Sequence, residues 1–216
     1  MIKRQIERET SGKDVSFFVA NLTNQQYNQY EHVHIKMKGC GSMPKIIEGA
    51  REKILTNAKR RLFEKGYLHL SLREVARESG IATGTIYNYF ANKDELIATI
   101  MLEDWLTTLE KMDVEAEAAP NVADGVMKFC EIVEEYYNIY TPIWGQPSVA
   151  AAAASEMQGR HRMLCRQIAD RVETLVERKG HAAPDKYSLL IAEMILAVLG
   201  KDEVRSQLRE ALYTRY

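Results

Sequence analysis

Between Ala82 and Tyr89 the chain reads Ala-Thr-Gly-Thr-Ile-Tyr-Asn-Tyr, a run of hydroxyls, one carboxamide and a bare glycine without a carboxylate. Such groups approach phosphates and base edges without charge repulsion, and can donate to phosphate oxygens or pair with groove atoms. Gly84 has no Cβ, so a helix carrying it could bring its backbone close to a duplex. The same absence would equally serve close helix packing, with the tyrosines covering a core. Ser71 and Lys93 stand at two expected helix starts, where a hydroxyl, an ammonium and the positive helix end meet a phosphate favourably. The candidate nucleic-acid contacts are therefore Ser71, Leu72, Ala82, Thr83, Gly84, Thr85, Tyr87, Asn88, Tyr89 and Lys93.

A second group suits a small molecule. Trp105, Phe129, Val133, Tyr136, Tyr137, Tyr140 and Trp144 would line a site with aromatic faces and a few hydroxyls, though aromatics at helical spacing more often form core. Glu131, Glu134 and Glu135 would favour a cationic ligand, or else form a solvated face. Cys130 and Cys165 could make a thiol switch, but buried, inert thiols are the simpler expectation. His161 has no neighbour of metal-ligand spacing in sequence. His32, His34 and Cys40 fall in a polar segment that offers a metal no framework, so neither a metal nor a cofactor is expected. The chain contains no phosphate loop, HExxH, nucleophile elbow or Cys-x-x-Cys, and an enzyme is not expected.

The elements that must position these groups read as helices throughout. Ile47, Ala50, Ile54, Ala58 and Leu62 recur at three- and four-residue steps, with Phe63 broadening the stripe and Gly66 closing the helix. Ser71 and Glu74 have capping-box spacing for a second, short helix that ends at Ser79-Gly80. A third is predicted over Ala82–Tyr89, and Asn92-Lys93-Asp94-Glu95 caps a fourth that reaches about Met112. Three helices of about 18, 9 and 7 residues with a glycine in the second joint have helix-turn-helix proportions. Val75, Ala76, Ile81, Ile86 and Phe90 should be its core.

Beyond a break at Ala119-Pro120-Asn121, a helix is predicted to Tyr140, with Pro142, Gly145 and Pro147 then marking a loop. Further helices follow over Ser148–Lys179, Asp185–Leu199 and Lys201–Tyr213. No stretch alternates with period two, so the fold class is all-α: an N-terminal three-helix unit and a C-terminal helical domain. Residues 1–42 are polar and read as a mostly disordered extension, 43–96 as the DNA-binding domain, and 97–216 as the effector-binding and dimerisation domain. Dimerisation is expected through the helices Ser148–Lys179 and Asp185–Leu199, where Leu189, Leu190, Met194, Ile195 and Val198 offer a broad apolar face for a four-helix interface between subunits, or else serve the subunit's own core.

Composition agrees with an ordinary globular protein: 46% hydrophobic and 27% charged residues, with net charge −1. Charge is unevenly placed. Residues 45–96 carry ten Lys/Arg against seven Asp/Glu, while residues 97–216 carry thirteen against nineteen. A basic front and acidic rear suit a molecule that turns one end to a polyanion. No signal peptide or membrane span is read, so a cytoplasmic setting without membrane partners is expected.

From Ile47 to Met101 the sequence resembles the TetR family of bacterial regulators. The likeness is carried by Ile54, Ala58, Leu62-Phe63, Gly66-Tyr67, Ser71-Leu72, Val75-Ala76, the run Ser79 to Phe90, and Asn92-Lys93-Asp94-Glu95-Leu96. Ala82 departs from it, because the family often has a capping serine there. The resemblance implies a homodimer with two reading heads on double-stranded, palindromic operator DNA, and C-terminal helices that bind a small-molecule effector. Repression relieved by that effector is the expected function. The alternative is a ligand-binding or protein-interaction module on a helix-turn-helix scaffold that no longer reads DNA.

Overall fold

Apolar residues one turn apart make Ala50–Lys65 an amphipathic helix, α1, and bury Ala50, Ile54, Ala58 and Leu62 along one side. Phe63 does not broaden that stripe; it is exposed, because the next position around the helix has already turned past the packing face. The computed structural model describes residues 49–144, 157–181 and 185–215. The expected extension 1–42, with His32, His34 and Cys40, lies outside the described residues, as does Ile47.

After a 3-10 turn at Tyr67–His69 come α2, Leu72–Glu78, and α3, Thr83–Ile86. The joint between them is built by backbone. The Ile81 N–H donates to the Ala76 carbonyl at 3.0 Å and the Gly80 N–H to the Arg77 carbonyl at 3.3 Å, the paired bonds of a Schellman ending. Gly80 sits at φ +71°, a conformation that a side chain resists. Val75, Ala76, Ile86 and Phe90 are buried as expected, whereas Ile81 is only half-buried.

Two sequence expectations fail here. The Ser71 side chain makes no cap bond to α2. Glu74 turns instead to the guanidinium of Arg61, which also binds Glu78. A charge-assisted bond to a buried cation outweighs a neutral cap. The third helix is also shorter than expected: beyond Ile86 the chain continues as turns, with Asn88 and Tyr89 donating to carbonyls three residues back, at 3.0 Å each.

α4, Lys93–Ala118, begins on a reciprocal cap. Asn92 Oδ1 accepts from the Glu95 N–H at 2.8 Å, and the Glu95 carboxylate accepts from the Ala91 N–H at 2.6 Å. Burial nonetheless raises the Glu95 carboxyl above its ordinary value, against the lowering effect of the Ala91 bond. The helix runs past the expected end at Met112, since Met112 and Ala116 continue the buried side. The chain divides into two compact units, Met1–Ile100 and Met101–Tyr216, with the division falling within α4.

In the second unit lie the rest of α4, α5 (Val122–Trp144), α6 (Met157–Arg178), α7 (Asp185–Ala197) and α8 (Asp202–Arg215). The described residues thus form eight α-helices and no strand. Pro142 does not break into a loop; it lies in the last turn of α5, where its missing N–H removes one ladder bond near an end that frays anyway. α5 and α6 approach closely at Gly125, where an added Cβ would lie 2.6 Å from the buried Leu175 side chain. Of the expected apolar face on α7, Ile195 and Val198 belong to the unit's own core. Leu189, Leu190 and Met194 are exposed. The 100° turn per residue splits the five positions between two sides of the helix. No described helix is long and apolar enough to cross a membrane.

Candidate nucleic-acid interface

The three-helix unit is braced by polar groups between its first two helices. Arg61, 3% exposed, reaches from α1 to both Glu74 and Glu78 of α2, and Arg60 joins Glu78 at 2.7 Å. Desolvation works to raise the Glu78 carboxyl, but the Arg61 bond and charge outweigh it and hold it below its ordinary value. Asn57 donates to the Ser79 hydroxyl at 3.2 Å, which in turn donates to the Lys53 carbonyl at 3.4 Å. These residues fix α2 on α1. No sequence signal singled out Arg61, because an arginine inside an apolar stripe reads as a surface residue until its partners are placed.

On that frame Ile86 and Phe90 anchor the α3 segment in the core, and the residues between and before them face out. Ala82, Gly84 and Tyr87 are exposed, and Thr83, Thr85, Asn88 and Tyr89 are half-exposed. Ala82 supplies no side-chain cap, as its departure from serine predicts. A Cβ added to Gly84 would meet nothing within 4 Å, so internal packing does not require glycine there. Ser71 is half-buried. Leu72 is buried, so its side chain serves the core and only its backbone could serve a ligand.

Lys93 is committed in part. Its ammonium donates to the Tyr67 carbonyl at 3.2 Å and sits 4.0 Å above the Tyr67 ring, whose hydroxyl donates to Asp94 at 2.7 Å. An ammonium carries three donors, so this arrangement aims the cation while leaving it capacity for another acceptor. Tyr67 is the positioning residue that periodicity alone could not pick out.

Gly84→Ala separates the two roles left open for this glycine. With a helical φ and open space, alanine should stabilise the free protein by up to about 1 kcal/mol. If the backbone approaches DNA there, operator affinity should fall at the same time. Denaturant unfolding and a binding titration read the two effects independently.

The second constellation gathers in the other unit. Trp105, Phe129, Val133, Tyr136 and Tyr140 are each buried, and Tyr137 is half-buried. The side chain of Trp144 lies outside the described residues. The Trp105 and Tyr136 rings meet edge-on at 5.1 Å, and those of Tyr136 and Tyr140 at 4.9 Å. Each polar tip has an internal acceptor: Trp105 donates to Gln167 at 2.7 Å, Tyr136 to the Met101 carbonyl at 3.1 Å, and Tyr140 to Asp104 at 2.5 Å. Burial first, then Asp104, pushes both phenols well above their ordinary range. The three glutamates are spent elsewhere: Glu131 on Lys128 at 2.8 Å, Glu135 on Lys111 at 3.4 Å, and Glu134 on Arg205 and the Gly200 N–H. They make a paired surface rather than a lining for a cation.

Cys130 and Cys165 are free and buried. Burial pushes Cys130 up to about 11, and burial with the Glu193 carboxylate pushes Cys165 up to about 12, so neither is a ready nucleophile at neutral pH. The expectation that His161 has no neighbour of metal-ligand spacing fails, because Cys165 at i+4 shares its side of the helix. Cys165 lies one turn along α6 and Glu193 arrives from α7, with His161 Nε2 2.7 Å from the carboxylate and 3.5 Å from the sulfur.

Comparison with known proteins bears on the N-terminal helices. Residues 54–100 match the sequence profile described as "Bacterial regulatory proteins, tetR family". The chain is 24% identical over 150 residues to the HTH-type transcriptional regulator HbdR of Aromatoleum sp. (strain CIB), covering 68% of this chain and 62% of that protein. It is 23% identical over 181 residues to the HTH-type transcriptional regulator UidR of Escherichia coli K12, covering 81% and 92%. A transcriptional regulator from Cytophaga hutchinsonii shares the fold with a TM-score of 0.55 and 14% identity, over 77% of this chain and 94% of that one. Residues 54–100 thus carry a segment that matches the profile of the bacterial tetR-family regulatory proteins.

Proposed function

We propose that the protein is a sequence-specific DNA-binding transcription regulator, a homodimer that represses from a palindromic operator until a small-molecule effector releases it. The observation that carries this reading is the α3 segment. It is anchored from beneath by Ile86 and Phe90, exposed above, free of carboxylates, and open around Gly84. In the proposed complex Thr83, Thr85 and Asn88 read base edges, while Ser71, Tyr87, Tyr89 and Lys93 hold phosphates, with Ala82 and Gly84 allowing close approach. Two such segments would need a separation of roughly 34–36 Å, one turn of duplex. For the dimer we assign α6 and α7, where Leu189, Leu190 and Met194 leave apolar surface to cover.

The effector site we assign to Trp105, Phe129, Val133, Tyr136, Tyr137, Tyr140 and Trp144, with Asp104 as the charged group. A ligand entering there must compete with the Tyr140–Asp104 bond, and it releases DNA only by preferring one dimer arrangement over the other.

The test is a binding titration of the full chain on the DNA upstream of its own gene, at several salt concentrations. Among the assigned phosphate contacts Lys93 alone carries charge, and hydroxyls displace no counterions. Lys93→Gln in both subunits should therefore flatten the plot of log affinity against log salt by roughly 2. An unchanged slope would mean that the ammonium serves only Tyr67. No salt-sensitive binding by the unaltered chain to any duplex would favour the interaction-module reading instead.

A further inference from the structure

Away from both sites, α6 and α7 bring a histidine, a cysteine and a glutamate to one point. His161, Cys165 and Glu193 each offer one ligand atom, and the three atoms lie within 4.8 Å of one another. His161 and Cys165 share a side of α6 because they are one turn apart. Glu193 meets them from α7, the helix packed on α6. In the single chain the sulfur is buried while the imidazole and carboxylate are exposed, beside the α7 face assigned above to the dimer, so a cation reaching them would find its softest ligand inside.

The spacing suits one class of ion. Zn–S bonds of about 2.3 Å and Zn–N bonds of about 2.0 Å at a tetrahedral angle place the two ligand atoms about 3.5 Å apart. The observed Sγ to Nε2 separation is 3.5 Å. Nitrogen and oxygen ligands of the same ion sit about 3.3 Å apart. The present 2.7 Å between His161 and Glu193 is a hydrogen bond that a small side-chain rotation would open. A thiolate–imidazole–carboxylate set selects Zn2+ and its borderline-soft relatives over Mg2+ or Ca2+, which take all-oxygen cages.

We propose that His161, Cys165 and Glu193 form a three-ligand site for a divalent cation of the Zn2+ class, with water in the fourth position, that clips α6 to α7. The thiol gives its proton to solvent as the metal–sulfur bond forms, and the imidazole binds through Nε2 in place of its bond to Glu193. Among the described residues no other group of three such side chains converges in this way.

The untagged full chain, freed of metal by a chelator and kept in its native assembly, is titrated with Co2+ alone and then with Zn2+ alone. The expected result is one Co2+ per chain with the visible bands of a tetrahedral ion and a thiolate-to-cobalt charge-transfer band, both bleached by Zn2+. Cys165→Ser should remove the charge-transfer band. Cys165→Ser and Glu193→Gln should each weaken Zn2+ binding by more than the roughly 10–100-fold that loss of an outer-shell partner costs. Cys40→Ser and His32→Ala/His34→Ala should leave the spectrum unchanged. Absence of a thiolate band, a band that survives Cys165→Ser, or one removed by Cys40→Ser would overturn the proposal. Should Cys165→Ser fail to give native circular dichroism, Glu193→Gln decides: unchanged Zn2+ affinity overturns the site, and a loss of the stated size supports it. DNA binding plays no part in these readouts, so their failure would leave the proposed function standing.

Discussion

Replacing Tyr87 by alanine should cost operator affinity on the order of a hundredfold while leaving the fold intact. The Tyr87 ring is 53% exposed and projects from the segment that Ile86 and Phe90 hold down. Removing a half-solvated surface ring should change unfolding by no more than about 0.5 kcal/mol. A hydroxyl lost from a phosphate forfeits a hydrogen bond to a charged group, worth about 1.5–3 kcal/mol, and the proposed dimer loses two. Together these come to about 3 kcal/mol or more, which is the hundredfold. Equilibrium binding to the operator and thermal unfolding of the same preparation test both halves. Equal affinity would remove Tyr87 from the interface, and a collapse of stability would return it to the core.

Trp105→Ala should do the opposite. Its ring is 2% exposed, packs edge-on against Tyr136, and donates its N–H to Gln167. The substitution opens a cavity and orphans a half-buried carbonyl, a combination that costs about 3–5 kcal/mol in a tight core. Against a typical total of about 5–15 kcal/mol, that is a large share of what holds the chain folded. Denaturant unfolding at one fixed protein concentration gives the value, since the stability of the proposed dimer would depend on concentration. A loss below about 1 kcal/mol would show that Trp105 lines open space rather than packed core.

The two tyrosine-rich stretches show why similar residues carry opposite expectations. Tyr87 and Tyr140 both recur at helical spacing beside apolar neighbours, and composition cannot separate them. Tertiary packing does. Tyr140 meets Asp104 on α4 and is sealed, whereas Tyr87 is 53% exposed.

What the linear order determined is local. Apolar steps of three and four define the buried sides of α1, α4 and α5, Gly66 and Gly80 end their helices, and Asn92 with Glu95 caps α4, because each depends on neighbours within a turn. The helix-turn-helix and its outward segment were legible for the same reason: its core positions and its joint lie within twenty or so residues. What only the tertiary structure decided involves partners far apart along the chain. Glu74 abandoned its cap for Arg61, Lys93 found Tyr67, the α7 face split between core and surface, and the His161–Cys165 pair of α6 acquired Glu193. Pairings across helices depend on how whole elements pack, and residue spacing within one helix carries no record of which neighbour will lie against it.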